Sequence, residues 1–408
     1  MSEVLAFHVC ITGRVQGVGF RPFVSRIAHE FGLAGWVRNR SGQVEVHVEG
    51  SSDALTAFTD ALLNQAPPLA KPECPHIYSV IPCGFHNFTI EVSAKNDQSD
   101  THIPPDYFVC GDCLAEIQNP AERRYRYPFI NCTQCGPRYT LIDRLPYDRP
   151  NTAMAGFELC PDCQSEYSDP LDRRYHAQPL ACARCGPGLV FRRTGCADLT
   201  DNERALSACV LGLREGLIIA VKGVGGYHLL CDATDATAVR KLRDRKLRPD
   251  KPLAVLVPWR GENGLELVNQ LADLDKSEQL LLCSPLRPIV LVRKRSHSVL
   301  TDAIAPDLGE VGLMLPYSPL HHLLTDGFGA PLVATSANLS GEPVLTDGEE
   351  VEARLSDVAD AFLHHNRPIR RPADDSVYRR IAGKPRPLRI GRGHAPIERK
   401  LPFHLEQP

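Results

Sequence analysis

The sequence predicts a multidomain chain of the α+β and α/β classes, in which a block of paired cysteines separates two mixed domains. With 408 residues the chain is too long for one hydrophobic core. Its first part alternates strand-like and helix-like runs in the order βαββαβ, which is typical of a ferredoxin-like fold. Four C-x-x-C pairs follow, and a longer α/β stretch with a glycine-rich loop completes the chain. We therefore expect a ferredoxin-like domain, two C4 zinc-finger modules and a twisted open sheet.

Polar, proline-containing breaks set the expected domain boundaries. The predicted parts are a first domain at 1–93, a linker at 94–105, a zinc region at 106–190, an open-sheet domain at 200–393 and a tail at 394–408.

Composition narrows the classes of protein to consider. A hydrophobic share of 43% and a charged share of 23% are ordinary for a globular chain. A net charge of −3 gives no general reason to expect nucleic acid or an anionic membrane as a partner. The start lacks a basic leader and no apolar run approaches the about 18 residues of a membrane helix, so we expect a cytoplasmic protein.

The number of cysteines supports a reducing compartment. The chain has fifteen, an odd number, which fits reduced thiols better than a disulfide framework. Four that lie in apolar runs are predicted to be small core residues. These are Cys10, Cys209, Cys231 and Cys283.

The first domain contains a candidate phosphate-binding loop. A predicted strand at 7–12 leads into a glycine-rich loop, and a predicted helix at 20–31 follows with Arg21 in its first turn. Glycines permit backbone turns that direct several N–H groups inward, and a helix N-terminus favours anions. The predicted loop residues are Gly13, Gln16, Gly17, Val18 and Gly19.

Further runs complete the βαββαβ order. Strands are predicted at 33–39 and 43–49 around a turn at 40–42, a helix at 52–65, and strands at 77–81 and 87–92.

These residues resemble the acylphosphatase family, whose patterns G-x-V-Q-G-V-G-F-R and G-x-V-x-N match residues 13–21 and 35–39. The resemblance implies that Arg21 binds the phosphate and that Asn39 orients the attacking water. An acyl phosphate has a good leaving group, so positioning and charge neutralisation suffice for its hydrolysis. The alternative is a plain glycine turn with Arg21 in a surface salt bridge.

Eight cysteines form one pattern that occurs twice at an offset of fifty residues. Two C-x-x-C pairs separated by eighteen residues match the spacing of a tetrahedral zinc site, whereas a redox dithiol or a disulfide does not explain the repetition. Four thiolates leave no open coordination position, so these metals are expected to be structural. The spacing leaves open which pairs share a metal, and His176 is an alternative ligand. The predicted ligands are Cys110, Cys113, Cys132, Cys135, Cys160, Cys163, Cys182 and Cys185.

The last domain contains a second candidate anion site. A predicted helix at 203–215 and a buried strand at 216–222 lead into a glycine-rich loop at 222–228. A basic helix follows at 238–248, and a predicted strand at 331–335 ends in a cluster of hydroxyl and amide side chains at 335–341. Such strand ends in open sheets are where nucleotides usually bind.

The combination K-x-R-x-x-K-P at 246–252 and S-A-N-x-S-G at 336–341 resembles the YrdC family, which makes carbamoyl-type adenylates from ATP. The resemblance implies a set of ATP- and carbamoyl-binding residues. These are Lys222, Tyr227, His228, Lys246, Arg248, Lys251, Ser336, Asn338 and Arg392.

Taken together, the three parts resemble the front of the HypF family of nickel-iron hydrogenase maturation carbamoyltransferases over nearly the whole chain. This resemblance implies hydrolysis of carbamoyl phosphate to carbamate, formation of carbamoyl-adenylate from carbamate and ATP, and transfer to the C-terminal cysteine of a HypE-type partner. We expect the zinc block to hold the two sites together. Magnesium is expected with ATP, with Asp374 and Asp375 as candidate ligands. Family members generally continue into an actin-like domain, so we expect a short member or a fragment.

Two other functions compete with this one. The zinc modules, the basic helix and an arginine-rich segment at 367–392 are compatible with binding of RNA, although no aromatic residues interleave the basic helix as a stacking platform requires. The second alternative is a scaffold that binds the maturation partner and has no catalytic activity.

Overall fold

The computed structural model describes residues 4–40, 43–67, 69–92, 103–338 and 342–397. Several predictions therefore lie outside the described residues: the turn at 41–42, the linker at 94–102, the end of the hydroxyl cluster at 339–341 and the tail from 398. The chain divides into two compact units, one of residues 1–105 with 394–408 and one of residues 106–393. The predicted zinc region and open-sheet domain thus belong to one compact unit.

The first unit contains a five-stranded sheet and two helices, so it has the predicted βαββαβ order with one further strand at an edge of the sheet, and a separate two-stranded sheet. Strands β1, β3, β4, β6 and β7 have the order β6-β1-β4-β3-β7. Val44, Val46 and Val48 of β4 lie on one face of the sheet and are fully buried in the core, and the polar residues between them are buried on the other face. The elements are β1 (Leu5–Ile11), β2 (Gly13–Arg14), α1 (Phe20–Glu30), β3 (Ala34–Arg40), β4 (Gln43–Gly50), α2 (Ser52–Asn64), β5 (Lys71–Pro72), β6 (His76–Val80) and β7 (Phe88–Ile90).

The zinc region has little regular structure. Helices α3 (Gly111–Gln118) and α4 (Pro161–Ser168) each begin directly after the first cysteine of a C-x-x-C pair, and one 3-10 turn spans Arg149–Asn151. The chain here is held by its cysteines and by side-chain hydrogen bonds rather than by a sheet.

The rest of the second unit is built on an eleven-stranded mixed sheet. Its strands follow the order β18-β17-β13-β14-β11-β15-β10-β9-β16-β8, with β12 paired to β13. The elements are β8 (Leu189–Arg193), α5 (Asn202–Arg214), β9 (Ile219–Lys222), β10 (Tyr227–Asp232), α6 (Ala236–Arg245), β11 (Ala254–Leu256), α7 (Glu266–Leu271), β12 (Ala272–Asp273), α8 (Lys276–Leu282), β13 (Ile289–Lys294), a 3-10 turn (Asp302–Ile304), β14 (Glu310–Met314), α9 (Pro319–Phe328), β15 (Leu332–Ser336), α10 (Gly348–Leu355), β16 (Ala361–His365), β17 (Val377–Ile381) and β18 (Lys384–Arg389).

The structure corrects part of the cysteine prediction. Cys209 and Cys231 are fully buried in the core, as expected, but Cys10 and Cys283 are only half-buried. Cys10 alternates along β1 with Val9 and Ile11, which face the core, so its side chain lies on the other face of the sheet. Cys283 ends the short helix α8.

Candidate functional site

The glycine-rich loop of the first unit leads into the start of helix α1. Gly17 and Gly19 have positive φ angles of 66° and 75°, and Gly19 is the N-cap residue of the helix. A side chain is disfavoured in this left-handed conformation, so glycine lets the loop close tightly. The first N–H groups of any helix have no partner within the helix, and this first turn has no acidic residue to occupy them. The loop and the helix start therefore form a backbone surface suited to a phosphate.

The side chains of the cradle are held inward. Val18 and Gln16 are buried, and Gln16 donates a hydrogen bond of 3.3 Å to the carbonyl of Gln43 at the start of β4. Asn39 lies on β3, which pairs with β4 in an antiparallel hairpin. The hydrogen bond of Gln16 therefore connects the loop to the hairpin that contains Asn39. The Oδ1 atom of Asn39 is buried without a hydrogen-bonding protein atom among the described residues, and Arg21 is 8% exposed. A polar ligand or water is the natural partner for this atom.

Gly13 fixes the entry to the loop. Its φ angle is 90°, and a Cβ atom there would lie 2.4 Å from the carbonyl oxygen of Lys71. Only glycine allows β2 and β5 to approach this closely.

The eight paired cysteines form two separate clusters, each made by neighbouring pairs along the chain. The pairing that the sequence left open is therefore sequential, and His176 contacts the rings of Tyr167 and Tyr175 instead of joining a cluster. Within the clusters, neighbouring sulfur atoms are 3.5–3.8 Å apart. A tetrahedron with Zn–S bonds of about 2.3 Å has edges of roughly 3.8 Å. The donor type and the spacing thus fit two zinc ions.

Arginines of each module contact the cysteines of the other. Both terminal nitrogens of Arg173, in the second module, donate to Sγ of Cys113 at 3.4 Å, and its Nε donates to Glu116 at 3.0 Å. Arg123, in the first module, donates to Sγ of Cys163 at 3.4 Å. It also pairs with Glu166, which lies on the same helix as Cys163.

The next arginine of each module repeats this exchange. Arg124 pairs with Glu166 and donates to the carbonyl of Ala181 at 2.8 Å. Arg174 pairs with Glu116 and donates to the carbonyl of Asn131 at 3.2 Å. Each module therefore supplies part of the polar surroundings of the other metal site.

A cleft of about 540 Å³ in the second unit collects the basic residues of the K-x-R-x-x-K motif and the S-A-N segment. Lys246 donates to the carbonyls of Ser336 and Asn338, at 2.7 and 2.5 Å. The Ser336 hydroxyl donates to Asn338 Oδ1 at 2.8 Å, and Arg248 lies 3.4 Å from the Thr335 hydroxyl. Residues more than eighty positions apart in sequence thus meet at the end of β15.

The cleft is electropositive. Burial, together with the charges of Arg248 and Lys251, lowers the pKa of Lys246 to about 8. Arg389 also lines the cleft. The negative charges of a polyanion in this cleft would offset the positive charges of these side chains. Arg389 is not among the binding residues predicted from the sequence, although it belongs to the arginine-rich segment at 367–392.

The other residues predicted to bind ATP or carbamoyl occupy different positions. Lys222 lines a second cavity. Tyr227 is fully buried and its hydroxyl hydrogen-bonds to His364 at 2.7 Å. His228 and Arg392 do not line the cleft, and both contact one carboxylate.

That carboxylate is Asp375, one of the two candidate magnesium ligands. His228 donates to Asp375 Oδ2 at 2.9 Å, and Arg392 donates to Oδ1 at 2.8 Å. Although burial opposes ionisation, Arg392 and His228 hold the pKa of Asp375 far below its ordinary value. Asp374 and Asp375 both line the cleft, but both carboxylate oxygens of Asp375 are committed to protein partners.

The basic helix α6 uses much of its charge internally. Lys241 and Arg245 both pair with Asp360, at 2.7 and 2.8 Å. Arg243 donates to backbone carbonyls, including that of Arg248 at 2.8 Å. These contacts leave this helix poorly suited to a nucleic-acid backbone. None of the helices in the described part of the chain is both long and apolar enough to cross a membrane.

Three family models match the chain in the predicted order. The acylphosphatase model matches residues 7–73, the HypF finger model matches 109–142 and 159–191, and the Sua5, YciO and YrdC model, described as telomere recombination, matches 212–391.

Curated proteins give a consistent picture. The chain is 49% identical to carbamoyltransferase HypF of Synechocystis over 402 residues, which are 98% of this chain and 51% of that protein. It is 48% identical to an acylphosphatase of Bacillus subtilis over 65 residues, which are 16% of this chain and 71% of that protein. The chain spans about half the length of the HypF proteins that it matches.

The fold has solved counterparts. A full-length HypF in a phosphate- and nucleotide-bound form superposes with a TM-score of 0.91 at 42% identity, covering 97% of this chain and 51% of that one. HypF of T. kodakarensis gives a TM-score of 0.90 at 42% identity, with 98% and 50% covered.

Proposed function

Because the chain belongs to the HypF carbamoyltransferase family over nearly its whole length, we propose that it converts carbamoyl phosphate and ATP into carbamoyl-adenylate. In the first unit, the loop N–H groups and Arg21 hold the phosphate while Asn39 orients a water. Attack of this water at phosphorus breaks the bond to the carbamoyl oxygen and releases phosphate and carbamate. The buried Oδ1 atom of Asn39, which has no hydrogen-bonding partner in the described part of the chain, supports this role.

The second step belongs to the cleft of the second unit. An oxygen of carbamate attacks the α-phosphorus of ATP, carbamoyl-adenylate forms, and pyrophosphate leaves. Lys246, Arg248 and Lys251 neutralise the phosphates, and Ser336 with Asn338 positions the nucleotide. The observation that carries this proposal is the convergence of these five residues on one cleft. Magnesium enters with the ATP, and Asp374 is the better-placed of the two candidate carboxylates.

The product carbamoyl group is proposed to go to the cysteine thiolate of a HypE-type maturation partner, in the synthesis of a cyanide ligand. The thiolate ligands of both zinc sites require a reducing environment, so we place the protein in the cytoplasm. Binding of RNA is the less favoured reading, because the basic helix spends its charges on Asp360 and on carbonyls.

Mass analysis of nucleotide products tests the two steps in series. With carbamoyl phosphate, ATP and Mg²⁺, the wild-type chain is expected to form carbamoyl-adenylate. Arg21→Ala is expected to lose this product at least 100-fold and to recover it when freshly dissolved ammonium carbamate is supplied. Lys246→Met is expected to fail with both donors. Absence of adenylate from the wild type with either donor would refute the proposal.

A further inference from the structure

The five-stranded sheet of the first unit carries a cluster of metal-binding side chains on the face opposite its hydrophobic core. His8 and Cys10 lie on β1, and Glu45 lies on the neighbouring strand β4, directly across from Cys10. One ligand atom of each residue lies within 4.8 Å of those of the other two: a ring nitrogen, a sulfur and a carboxylate oxygen. The cluster shares no residue with the phosphate loop or with the two zinc modules.

The donor types and their spacing suit a zinc ion. Zn–S bonds of about 2.3 Å and Zn–N bonds of about 2.0 Å place the nitrogen and sulfur of a tetrahedral site roughly 3.5 Å apart. Small side-chain rotations therefore bring the three atoms to one ion. Because His8 and Cys10 are only half-buried, an ion in solution can reach both of them.

The Glu45 carboxylate is buried, and two arginines hold its charge. Arg38 donates to Oε2 at 3.1 Å and also pairs with Glu91 at 3.3 Å. Arg40 donates to Oε1 at 2.8 Å, but 39% of its side chain is exposed to solvent. An ion pair with an exposed partner contributes little, about 0–1 kcal/mol. A divalent cation can therefore take Oε1 while Arg40 turns into the solvent.

The charges balance once Arg40 has turned away. The thiolate of Cys10 and the carboxylate of Glu45 offset the two charges of the ion. Arg38 stays in place and is neutralised by Glu91. The site thus has no net charge that would oppose the metal.

A fourth ligand is available on the next strand. His76 of β6 is the cross-strand neighbour of Cys10, so the two side chains lie on the same face of the sheet. It is exposed, which leaves its ring free to rotate toward the sulfur. A third strand can therefore join the same ion.

The metal-free ligands are neutral near pH 7.5. Burial lowers the pKa of His8, which favours the neutral ring that metals bind, and burial raises the pKa of Cys10, which keeps the thiol protonated. Binding of Zn²⁺ replaces the thiol proton, and this proton passes to the solvent.

A second cluster on the same face provides a matched comparison. His47, Glu49 and Cys83 also lie close together. Glu49 accepts from the N–H groups of Gly84 and Phe85 at 3.0 and 3.1 Å, and from Cys83 N–H and the His47 ring. These four hydrogen bonds use the four lone-pair positions of the carboxylate. Three of the donors belong to the backbone and cannot turn away, so this cluster is not suited to a metal.

We propose that the first unit binds one zinc ion between β1 and β4, in addition to the two of the zinc modules. His8, Cys10 and Glu45 are its ligands. His76 completes the coordination from β6. The ion joins three strands of the sheet on the face opposite the core.

Protection of Cys10 from alkylation is the first test. The full chain, loaded with two zinc ions and dialysed free of other metal, is treated with iodoacetamide at pH 7.5, and each cysteine is followed by mass spectrometry. Micromolar Zn²⁺ is expected to slow alkylation of Cys10 by about ten-fold. The exposed thiols of Cys83 and Cys196 should react at an unchanged rate.

Histidine variants show whether this protection comes from the proposed cluster. His8→Gln is expected to abolish the protection of Cys10, whereas His47→Gln, which removes the ring directly opposite on β4, should keep it. Equal protection in the wild type and in His8→Gln, or no protection in the wild type, overturns the proposal.

Cobalt gives a second measurement that does not depend on His8→Gln folding. Adding Co²⁺ to the zinc-loaded wild type is expected to produce a thiolate-to-metal charge-transfer band at one equivalent. Cys10→Ser should lose this band, and Cys196→Ser, a matched exposed cysteine, should keep it. A band of equal strength in Cys10→Ser would show cobalt entering the zinc modules instead and would refute the site.

Arg40→Met tests the role of Glu45. Removal of the cation that competes for Oε1 is expected to tighten Zn²⁺ binding by about three-fold, measured from the Zn²⁺ concentration that half-protects Cys10. Weaker binding in this variant would contradict Glu45 as a ligand.

Discussion

The two zinc modules repeat one pattern at an offset of fifty residues, but they are integrated into the molecule to different degrees. In the first module, Cys113, Cys132 and Cys135 belong to a large hydrophobic cluster that continues into the open sheet and helix α9. In the second, the buried cysteines form a small cluster of their own with Ala177 and Leu180. The two copies of the ligand pattern are therefore expected to contribute differently to the stability of the second unit, because different amounts of apolar structure pack around them.

The largest expected effect comes from removing one ligand of each module. Cys135→Ser should prevent folding of the second unit, because structural zinc contributes about 10–16 kcal/mol, comparable with the whole stability of a domain. Cys185→Ser should cost one zinc per chain but keep the cooperative unfolding of the open sheet. Zinc content and thermal denaturation measure both outcomes. Equal loss of zinc and of thermal stability in the two variants would contradict the proposed difference between the modules.

The crossed arginines should give the next largest effect, and it should appear in the opposite module. Arg173→Met is expected to speed zinc loss from the first module about ten-fold, because it removes two hydrogen bonds to Cys113. Arg123→Met should act likewise on the second module. The measurement is chelator-induced release, with alkylation of individual cysteines followed by mass spectrometry.

Arg126→Met is the matched control for these variants, since Arg126 pairs with Glu203 and contacts no thiolate of the described residues. If each arginine variant labilised its own module, the crossed contacts would have no energetic role.

A smaller difference is expected in the unmodified protein. The small cluster around the second zinc should open more often than the large one around the first, since it has fewer apolar contacts. Under a competing chelator, the cysteines of the second module should become alkylated a few times faster than those of the first. Simultaneous release of both metals would show instead that the crossed contacts unite the modules into one cooperative body.

The last prediction concerns acid. Although burial favours the neutral form, hydrogen bonds from Arg124 and Arg123 lower the pKa of Glu166 to about 2. A carboxyl with a depressed folded pKa contributes stability that is fully present above its unfolded pKa of about 4.3, and this contribution is lost as the pH falls through the folded pKa of about 2.

Glu166→Gln is therefore expected to lower the free energy of unfolding by about 2 kcal/mol at neutral pH and by roughly half as much at pH 3, where the folded carboxyl is still mostly ionised. Urea denaturation of samples with recorded zinc content measures the difference. A difference that does not depend on pH would contradict the role of the ionised carboxylate.

The sequence predicted the positions of helices better than it predicted which side chains contact one another. The predicted helix at 20–31 is α1, and the predicted helix at 238–248 overlaps α6, because glycine, proline and the apolar period mark such elements locally. The sequence left the zinc pairing open, because interleaved zinc modules also build one site from pairs that are distant in the sequence. The arginine pairs of the repeat were visible in the sequence, but their partners lie forty or more residues away.

The candidate sites divide in the same way. The first is mostly one continuous loop, so its residues stand together in the sequence. The second is assembled from segments that only the folded sheet brings together, such as Lys246 and Ser336. Arg367 and Arg389 were part of a recognised arginine-rich run, yet nothing in that run indicates which arginine lines a cavity and which lies at the surface.

The crossed contacts follow one rule: the arginine pair of each module meets the glutamate on the first helix of the other module, and the reverse contact is its equivalent shifted by fifty positions. This is the contact pattern of an isologous homodimer whose two protomers have been joined in one polypeptide. A single finger carries both halves of the interface, so it should self-associate when expressed by itself. A substitution in either copy also alters a contact of the other, which constrains the two copies to change together.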